Sequence, residues 1–594
     1  MRSILLFLLS LFLILSCTQN AQLQNEVQGY LDSYTKEYQK LYYASAKAQW
    51  KSNTYIMEGD TLTKKATTEA NEAYAEFTGS AENIETARKY LKQKELLKPL
   101  QVKQLEAILY AAADNPSTVP DLVKDRIAAE TDQVEKLYGF DFQVAGKSIS
   151  TNDIDQVLRD SKYLNKRLEA WQASKEVGKG LKDGLANLQS LRNKTVQALG
   201  YDDFFSYQVS DYGMTRQEMM DMNKRFVEEL RPLYRELHTY ARYTLAEKYG
   251  AEVPEYLPAH WLPNRWGQDW SSMVQVEGIN LDGVLEEKGA PWLVEQGERF
   301  FVSLGLDKLP QSFWEKSSLY PLPEGTEYKK NNHASAWHLD LENDLRSLMS
   351  VIPNSEWYET SHHELGHIYY YILYTNPNVP PLLRGGANRA FHEAVGSMLG
   401  LAATQKPFLQ GLELIPENVE TDEMQTLLKE ALNYIVFIPW SAGVMTEFEN
   451  ELYANNLPKE QFNKKWWEIK KKYQGIVPPT DRGEDYCDAA SKTHINNDAA
   501  QYYDYALSYI LLFQLHNHIA TNILKEDPRA TNYYGSKETG EFLKKILSPG
   551  ASVDWRKLMR DSLGEEISAK AMLNYFEPLM EYLKKENEGR KHTL

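Results

Sequence analysis

Cysteine is nearly absent from this chain, which has only 2 cysteines among its 594 residues. Two cysteines cannot build a disulfide framework. Basic residues are not in excess either, because 66 Lys and Arg stand against 83 Asp and Glu, giving a formal net charge of −17. This balance argues against nucleic acid as a partner, since a protein that binds the phosphate backbone needs clustered cations.

Long apolar runs are also missing, apart from one at the N-terminus. Residues 4–15 are apolar except for one serine, and Ser16 and Cys17 follow them. The run is shorter than the roughly 20 residues that cross a bilayer, and it fits the hydrophobic part of a secretory signal. The Leu15-Ser16-Cys17 ending resembles a bacterial lipobox, which predicts a signal peptide over residues 1–16 and lipidation of Cys17. The alternative is a plain signal peptide with an incidental cysteine.

The N-terminus therefore predicts an exported protein of a bacterial cell envelope, facing the periplasm or the cell surface. It would contact the membrane only through its lipid anchor, and residues 17–26 would form a short polar tether. Cys487 would then be the other cysteine of the mature chain, which leaves no internal disulfide to form.

The rest of the chain is patterned mainly as helix. Between residues 25 and 249, apolar residues recur three and four positions apart among Glu, Lys and Arg. The pattern changes over residues 319–340, where His333–Trp337 looks extended and predicts a short strand or two. Helical patterning resumes near residue 356 and continues to 583, interrupted by two loops. The sequence predicts a mostly α fold, a large helical body with little β-sheet.

The most specific motif is His363-Glu364-Leu365-Gly366-His367. Residues four apart on a helix share a face, so His363 and His367 direct two imidazoles to one point. Glu364 lies about 100° around the helix, close enough to act on a water molecule without binding the metal. The pattern predicts a zinc site with Glu364 as general base. The alternative is a helix with two incidental histidines.

A third ligand is expected farther along the chain, because a catalytic zinc usually takes three protein ligands and keeps one position for water. The run 387–396 supplies two candidates, His392 and Glu393. The two are neighbours, about 100° apart on a helix, so we expect only one of them to bind the metal. Spacing alone leaves the choice open.

These segments resemble the angiotensin-converting-enzyme family of peptidyl-dipeptidases. The likeness rests on the motif at 363–367, on Arg-Gly-Gly-Ala-Asn at 384–388 and on Phe-His-Glu-Ala at 391–394. In that family the zinc ligands are the two motif histidines and the glutamate of the last segment. The resemblance implies one Zn²⁺ per chain, held by His363, His367 and Glu393.

The same resemblance implies a fold and roles for two further histidines. The fold would be a large helical zincin-type (gluzincin) metallopeptidase body with a deep central cleft. Residues 27–594 would form one helical peptidase domain with two lobes around that cleft. His362 and His392, each next to a ligand, would be packing residues or would orient the ligands.

Further segments match the family in order along the chain. His333–Trp337 is similar to a strand that binds the substrate backbone, and the Trp-Gly-Gln-Asp-Trp segment at 266–270 to one that helps hold the substrate's C-terminal carboxylate. The Lys-Thr-His-Ile segment at 492–495 and two nearby tyrosines complete the set. The implied substrate-binding residues are His333, Ala334, Gln268, Lys492 and Tyr502, and the implied catalytic residues are Glu364, His494 and Tyr505.

The position of the two tyrosines depends on one inserted residue. Aligning Tyr505–His516 with an aromatic helix of the family assigns Tyr502 to the carboxylate, with Gln501 and Tyr503 as the alternatives. The likeness covers roughly residues 150–582, and the first hundred residues match only in helical character.

The function implied is hydrolysis of C-terminal dipeptides from oligopeptides. Glu364 would take a proton from water, His494 and Tyr505 would stabilise the oxyanion, and the carboxylate-binding residues would set the cleavage point two residues from the C-terminus. One alternative is an endopeptidase or a carboxypeptidase that removes single residues. The other is a non-catalytic zinc- or peptide-binding lipoprotein, against which Glu364 argues, since a binding protein needs no general base.

Three positions depart from the family. An aspartate that orients a zinc histidine is replaced by Ser397, which predicts weaker zinc binding or a substitute partner. An acidic residue near the site is replaced by Gly385. An arginine that binds chloride in animal members aligns with Asp504, so we expect no chloride activation through that position.

Overall fold

The computed structural model describes residues 2–57, 59–276 and 280–594, with the side chains of residues 2–19 excluded. Lipidation of Cys17 concerns one of those excluded side chains and stays a prediction. The predicted tether at 17–26 lies within a long first helix, where Gln24 Nε2 donates to Leu96 O at 2.7 Å. Among the described helices, none has the length and apolar character needed to span a bilayer.

Helices hold 67% of the chain and strands 3%, which confirms the mostly α fold. The first part of the chain contains α1 (Arg2–Thr54), α2 (Thr61–Thr78), α3 (Ala81–Leu91), α4 (Pro99–Asp114), α5 (Pro120–Tyr138), α6 (Thr151–Asp160), α7 (Leu164–Gln197), α8 (Phe204–Ser210), α9 (Arg216–Tyr249), α10 (Asp282–Lys288), α11 (Ala290–Ser303) and α12 (Gln311–Lys316). The second part contains α13 (Ser355–Tyr374), α14 (Arg389–Thr404), α15 (Lys406–Gly411), α16 (Glu423–Ile438), α17 (Thr446–Tyr453), α18 (Phe462–Gln474), α19 (Thr493–Asn497), α20 (Tyr503–His518), α21 (Lys537–Leu547), α22 (Trp555–Leu563), α23 (Lys570–Tyr575) and α24 (Glu577–Glu586).

The described strands form three small two-stranded sheets. They are β1 (Gln143–Val144) with β2 (Lys147–Ser148), β3 (Leu257–Pro258) with β6 (Ile476–Val477), and β4 (Ser335–His338) with β5 (Leu345–Leu348). The β3–β6 pair is parallel, and the other two are antiparallel. The strand predicted at His333–Trp337 is confirmed as β4, although it begins two residues later.

Asparagine caps fix where the two helices of the metal motif begin. The side chain of Asn354 accepts from Trp357 N before α13, and that of Asn388 accepts from Phe391 N before α14. A capping side chain satisfies one of the backbone N–H groups that the first turn leaves unpaired, and typically contributes about 1 kcal/mol. The caps place the His363 motif in the third turn of α13 and Glu393 in the second turn of α14.

One apolar core includes buried residues from Ala113 to Leu583 and packs around Trp171, Trp270, Trp440 and Trp555. A separate small cluster joins α1 to α3 and α4, and it includes Val27, Leu31, Tyr34 and Ala87. The helices that carry the predicted site, α13, α14 and α20, all contribute to the large core. Their relative positions are therefore set by close packing.

Candidate metal centre and substrate cleft

Two glycines allow α13 and α14 to approach closely. A Cβ atom on Gly366 would lie 3.1 Å from the Cα of Gly396, and one on Gly396 would lie 3.1 Å from the His363 ring. Contacts this short exclude a side chain at either position without rearrangement. The absence of Cβ atoms therefore lets the second turn of α14 pass beside the histidines of α13.

The structure brings His363, His367 and Glu393 together as one cluster, which we call the metal cluster. One ligand atom from each lies within 4.8 Å of the others. The Nε2 atoms of the two histidines are 3.0 Å apart, and His363 Nε2 lies 3.8 Å from Glu393 Oε2. Burial lowers the pKa of His363 to about 3 and of His367 to about 4, which keeps both imidazoles neutral, the form that binds metals.

The other two histidines do not join the metal cluster. His392 Nδ1 lies 2.7 Å from His367 Nδ1, and its ring stacks on Tyr370 at a centroid distance of 4.5 Å. This contact orients the His367 ring so that Nε2 faces the cluster. His362 is fully buried and its Nδ1 lies 2.8 Å from Tyr358 O. Between the two candidates for third ligand, the geometry brings Glu393 to the cluster.

Glu364 is buried next to the metal cluster. Its Oε2 atom has no hydrogen-bond partner among the described residues. Burial, reinforced by the charge of Glu393, raises the pKa of Glu364 to about 8. A bound cation would lower that pKa. The carboxylate is therefore placed to exchange a proton near neutral pH.

A second group, Gln268, Lys492 and Tyr502, is the set predicted to hold a substrate carboxylate, and we call it the carboxylate clamp. Lys492 Nζ donates to Gln268 Oε1 at 2.9 Å, and Tyr502 OH donates to the same oxygen at 3.3 Å. Lys492 Nζ also lies 4.3 Å from the centre of the Trp266 ring. Burial, with a smaller contribution from Arg265, lowers the pKa of Lys492 to about 7. The carboxylate clamp offers three hydrogen-bonding groups to an anionic ligand.

Tyr505 and His494 contact each other next to the carboxylate clamp. His494 Nε2 is 3.2 Å from Tyr505 OH, and the Tyr505 and Tyr502 ring centroids are 4.9 Å apart. Burial raises the pKa of Tyr505, and the charge of Glu393 adds to the shift, so the hydroxyl stays protonated. Burial lowers the pKa of His494 to about 4, so its ring is neutral. Both are available as hydrogen-bond donors.

Comparisons with known proteins agree with this geometry. A sequence model of the Peptidase_M2 family, described as angiotensin-converting enzyme, matches residues 21–594. The chain belongs to the angiotensin-converting-enzyme family. It is 28% identical to the angiotensin-converting enzyme of Theromyzon tessulatum, over 98% of this chain and 96% of that protein. It is 30% and 32% identical to those of Bos taurus and Mesocricetus auratus, over 74% of this chain and 34% of each of those proteins.

Family membership makes the protein a metallopeptidase. The chain spans nearly the whole Theromyzon protein but only about a third of each mammalian relative. The match also runs well beyond residues 150–582, so the predicted limits of the likeness were too narrow. The N-terminal helices lack a chemical motif, and helical patterning alone does not reveal a relationship.

Of the three residues considered for the clamp tyrosine, Tyr502 is the one that reaches Gln268. Its backbone is held by Ser441, whose Oγ donates to Tyr502 O at 2.6 Å from a π-helical turn at Pro439–Met445. Gln501 Nε2 donates instead to Asp498 at 3.2 Å. Tyr503 is fully buried on the other side, against Phe205 and Tyr212.

The two residues predicted to bind the substrate backbone are less closely tied to the site. His333 and Ala334 precede β4, and among the described residues no hydrogen bond links His333 to the metal cluster. The strand itself does reach the metal helix, because Tyr371 OH of α13 donates to Ala336 O at 3.2 Å. The geometry therefore places the strand beside α13 and leaves the His333 side chain exposed.

The departures from the family have separate structural settings. Ser397 makes no side-chain hydrogen bond to His363 or His367 among the described residues, and His392 is the observed partner of His367. A Cβ atom on Gly385 would meet nothing within 4 Å, so the backbone there does not demand glycine. Asp504 is buried and joined to Arg389 and Tyr212.

Arg389 is a residue that the sequence did not single out. It donates to both carboxylate oxygens of Asp498, at 3.0 and 2.8 Å, and its Nε lies 3.3 Å from Asp504 Oδ2. Its position between the 384–388 and 391–394 segments indicated that it lies near the site. Its partners, more than a hundred residues away, were not visible from the sequence.

Proposed function

We propose that this protein is a zinc-dependent peptidyl-dipeptidase that releases dipeptides from the C-termini of oligopeptides. The observation that carries the proposal is the continuity of the site. Glu393 of the metal cluster lies on α14, which packs against α20, and Tyr505 lies in the first turn of α20. The Tyr505 ring is in turn 4.9 Å from the ring of Tyr502, which belongs to the carboxylate clamp. A peptide bound along this line would have its C-terminal carboxylate at one end and a scissile bond at the other.

The residues of the metal cluster fit zinc. Two neutral imidazoles and one carboxylate are a donor set that zinc uses in catalytic sites, and three protein ligands leave a position open. When bound, zinc supplies Lewis acidity that lowers the pKa of a water molecule and polarises a carbonyl group. His392 supports this set by holding His367 in the orientation that a ligand requires.

The protein's own residues then divide the proton transfers and the charge stabilisation. Glu364 accepts a proton from the attacking water and returns it to the leaving amine. Tyr505 and His494 donate hydrogen bonds to the oxyanion that develops on the scissile carbonyl, and donors of this kind typically contribute about 3–4 kcal/mol each. His333 and Ala334 align the peptide backbone as an added strand.

The carboxylate clamp sets where the chain is cut. Lys492 binds the terminal carboxylate, and Gln268 and Tyr502 add weaker, uncharged hydrogen bonds. Only a peptide bond at a fixed distance from the C-terminus therefore reaches Glu364. An endopeptidase would have no use for a buried lysine at this place. Chloride is not part of the mechanism through Asp504, because that position carries a carboxylate.

The cellular location belongs to the same proposal. Export and lipidation at Cys17 would hold the peptidase on a bacterial cell envelope, facing the periplasm or the surface, where oligopeptides are available. The apolar run at 4–15 followed by Cys17 supports this location. Cys17→Ser should release the protein into the soluble fraction, and unchanged membrane association would contradict lipidation at this residue.

The function is tested by weighing the products of one peptide. The full-length protein is incubated with a free-acid decapeptide and with its C-terminal amide, each with and without a chelator, and the zinc content is measured. We expect one zinc per chain and successive chelator-sensitive losses of two residues from the free acid. Losses of one residue, internal cleavage, or equal cleavage of the amide would each contradict the proposal. Adding sodium chloride at fixed ionic strength should change the rate by less than about twofold.

A further inference from the structure

An ion-pair network, buried at Asp504, joins the three segments that carry the reactive side chains. Arg389 is the first residue of α14, four positions before Glu393. Asp498 follows α19, which carries His494, and its backbone N–H donates to His494 O at 3.0 Å. Asp504 immediately precedes Tyr505 in the first turn of α20. Arg389 contacts both carboxylates, so one guanidinium connects the three segments.

Asp504 is the most enclosed member of this network. Its side chain is only 2% exposed, while Arg389 keeps 39% of its side-chain surface exposed. One carboxylate oxygen faces Arg389 Nε at 3.3 Å, and the other accepts a hydrogen bond from Tyr212 OH. A buried carboxylate is costly unless it is paired and hydrogen-bonded. Burial raises the pKa of Asp504 to about 7 although the charge of Arg389 opposes the shift, so these two contacts offset that cost only in part.

Tyr212 ties the same two helices a second time. Its hydroxyl accepts a hydrogen bond from the backbone N–H of Ala390 at 3.2 Å while it donates to Asp504. Tyr212 is itself fixed, because its carbonyl accepts from Trp555 Nε1 at 3.1 Å and its side chain is buried. The first turns of α14 and α20 are therefore joined once through Arg389 and once through Tyr212, with Asp504 common to both connections.

The consequence concerns distance within the site. Glu393 lies one helical turn after Arg389 and Ala390, and Tyr505 is adjacent to Asp504. A shift of α20 relative to α14 would move the Tyr505 hydroxyl relative to the metal cluster. Stabilisation of an oxyanion requires donors within a few tenths of an ångström of their working positions, so a small shift would lower the rate.

We propose that Asp504 is a positioning residue whose carboxylate, held between Arg389 and Tyr212, fixes Tyr505 relative to Glu393. The inference rests on the proposed function, because it assigns Tyr505 to oxyanion stabilisation. Asp504 touches no substrate in this role and acts only through its neighbour. The network contains its own anion, so it needs none from solution.

The test is anion rescue of Asp504→Ala with the free-acid decapeptide as substrate. Removing the carboxylate leaves Arg389 and Tyr212 facing a space that a formate ion fits. We expect kcat to fall about 10–100-fold, with KM changed less than about threefold and zinc content unchanged. Sodium formate should raise the kcat of the variant at least about fivefold, and the increase should saturate with formate concentration. Sodium sulfate at equal ionic strength is the salt control.

Glu236→Gln is the matched control, because Glu236 is also a buried carboxylate with an imidazole and an amide partner, His592 and Asn587, outside the site. It should keep kcat within about twofold and show no response to formate. Asp504→Glu should retain more activity than Asp504→Asn. If Asp504→Ala does not fold, Tyr212→Phe tests the same positioning role. We then expect kcat to fall about three- to tenfold with KM retained.

The two proposals fail in different ways. A wild-type protein that releases no dipeptides would overturn the proposed function. An active wild-type protein whose Asp504→Ala and Tyr212→Phe variants keep kcat within twofold, or an alanine variant whose loss formate does not repair, would overturn the positioning role alone.

Discussion

The metal cluster and the carboxylate clamp occupy one site but are assembled differently. The metal cluster comes from two adjacent helices, with all its ligands between His363 and Glu393. The clamp joins Gln268 and Lys492, which are 224 positions apart in the sequence. In the proposed mechanism, the metal cluster supplies the chemistry and the carboxylate clamp sets the point of cleavage. Because they share no residue, substitutions in one should leave the property set by the other intact.

The largest effect is expected at the chemical end. Glu364→Gln removes the general base while keeping the size of the side chain, and we expect kcat to fall about 10²–10⁴-fold with KM for the free-acid peptide nearly unchanged. Zinc content should not change, because Glu364 is outside the metal cluster. Glu356→Gln, an exposed change on the same helix, is the control and should keep full activity. Full activity in Glu364→Gln would disprove the mechanism.

A smaller effect is expected for His392→Phe, which should weaken zinc binding without changing substrate preference. His392→Phe preserves the stacking on Tyr370 but removes the nitrogen 2.7 Å from His367 Nδ1. We expect zinc affinity, measured by competition with a chelator, to fall about 10–100-fold. At saturating zinc, the preference for free-acid over amidated peptide should be that of the wild type. Unchanged zinc affinity would show that this contact does not orient the ligand.

The pH dependence of kcat/KM should show whether Lys492 of the carboxylate clamp binds the substrate. Because burial lowers the pKa of Lys492 to about 7, its charged fraction falls as the pH rises above that value. The free carboxylate of a substrate binds the charged form, so kcat/KM should fall about tenfold per pH unit on the alkaline side of that pKa. Substrate binding raises the pKa back toward its usual value, so binding near pH 8 should take up protons, which calorimetry in two buffers measures. Absence of proton uptake would contradict this role.

The two ends also differ in how far the sequence predicted them. The spacing of His363 and His367 reflects one helical turn, so their convergence follows from local geometry. The choice between His392 and Glu393 depended on how α14 crosses α13, which Gly366 and Gly396 determine by close approach. That information is tertiary, and the family resemblance supplied it where spacing did not.

For the carboxylate clamp, the residue types could be predicted from the sequence, but the register of its tyrosine could not. Whether Gln501, Tyr502 or Tyr503 faces Gln268 depends on a turn at the start of α20 and on Ser441, which belongs to another helix. The helical body was predicted well because its apolar spacing is periodic. The Arg389 network was not, since it depends on contacts across more than a hundred residues.

The most direct test of the division between the two ends is the ratio of kcat/KM for a free-acid decapeptide to that for its amide, measured in the wild type and in Lys492→Met. Removing one partner of a buried charged hydrogen bond costs about 2–5 kcal/mol. We expect a wild-type ratio of about 100 or more, which falls to near one in Lys492→Met while the remaining activity stays chelator-sensitive. A wild-type ratio near one, or a variant that keeps the wild-type ratio, would contradict the account.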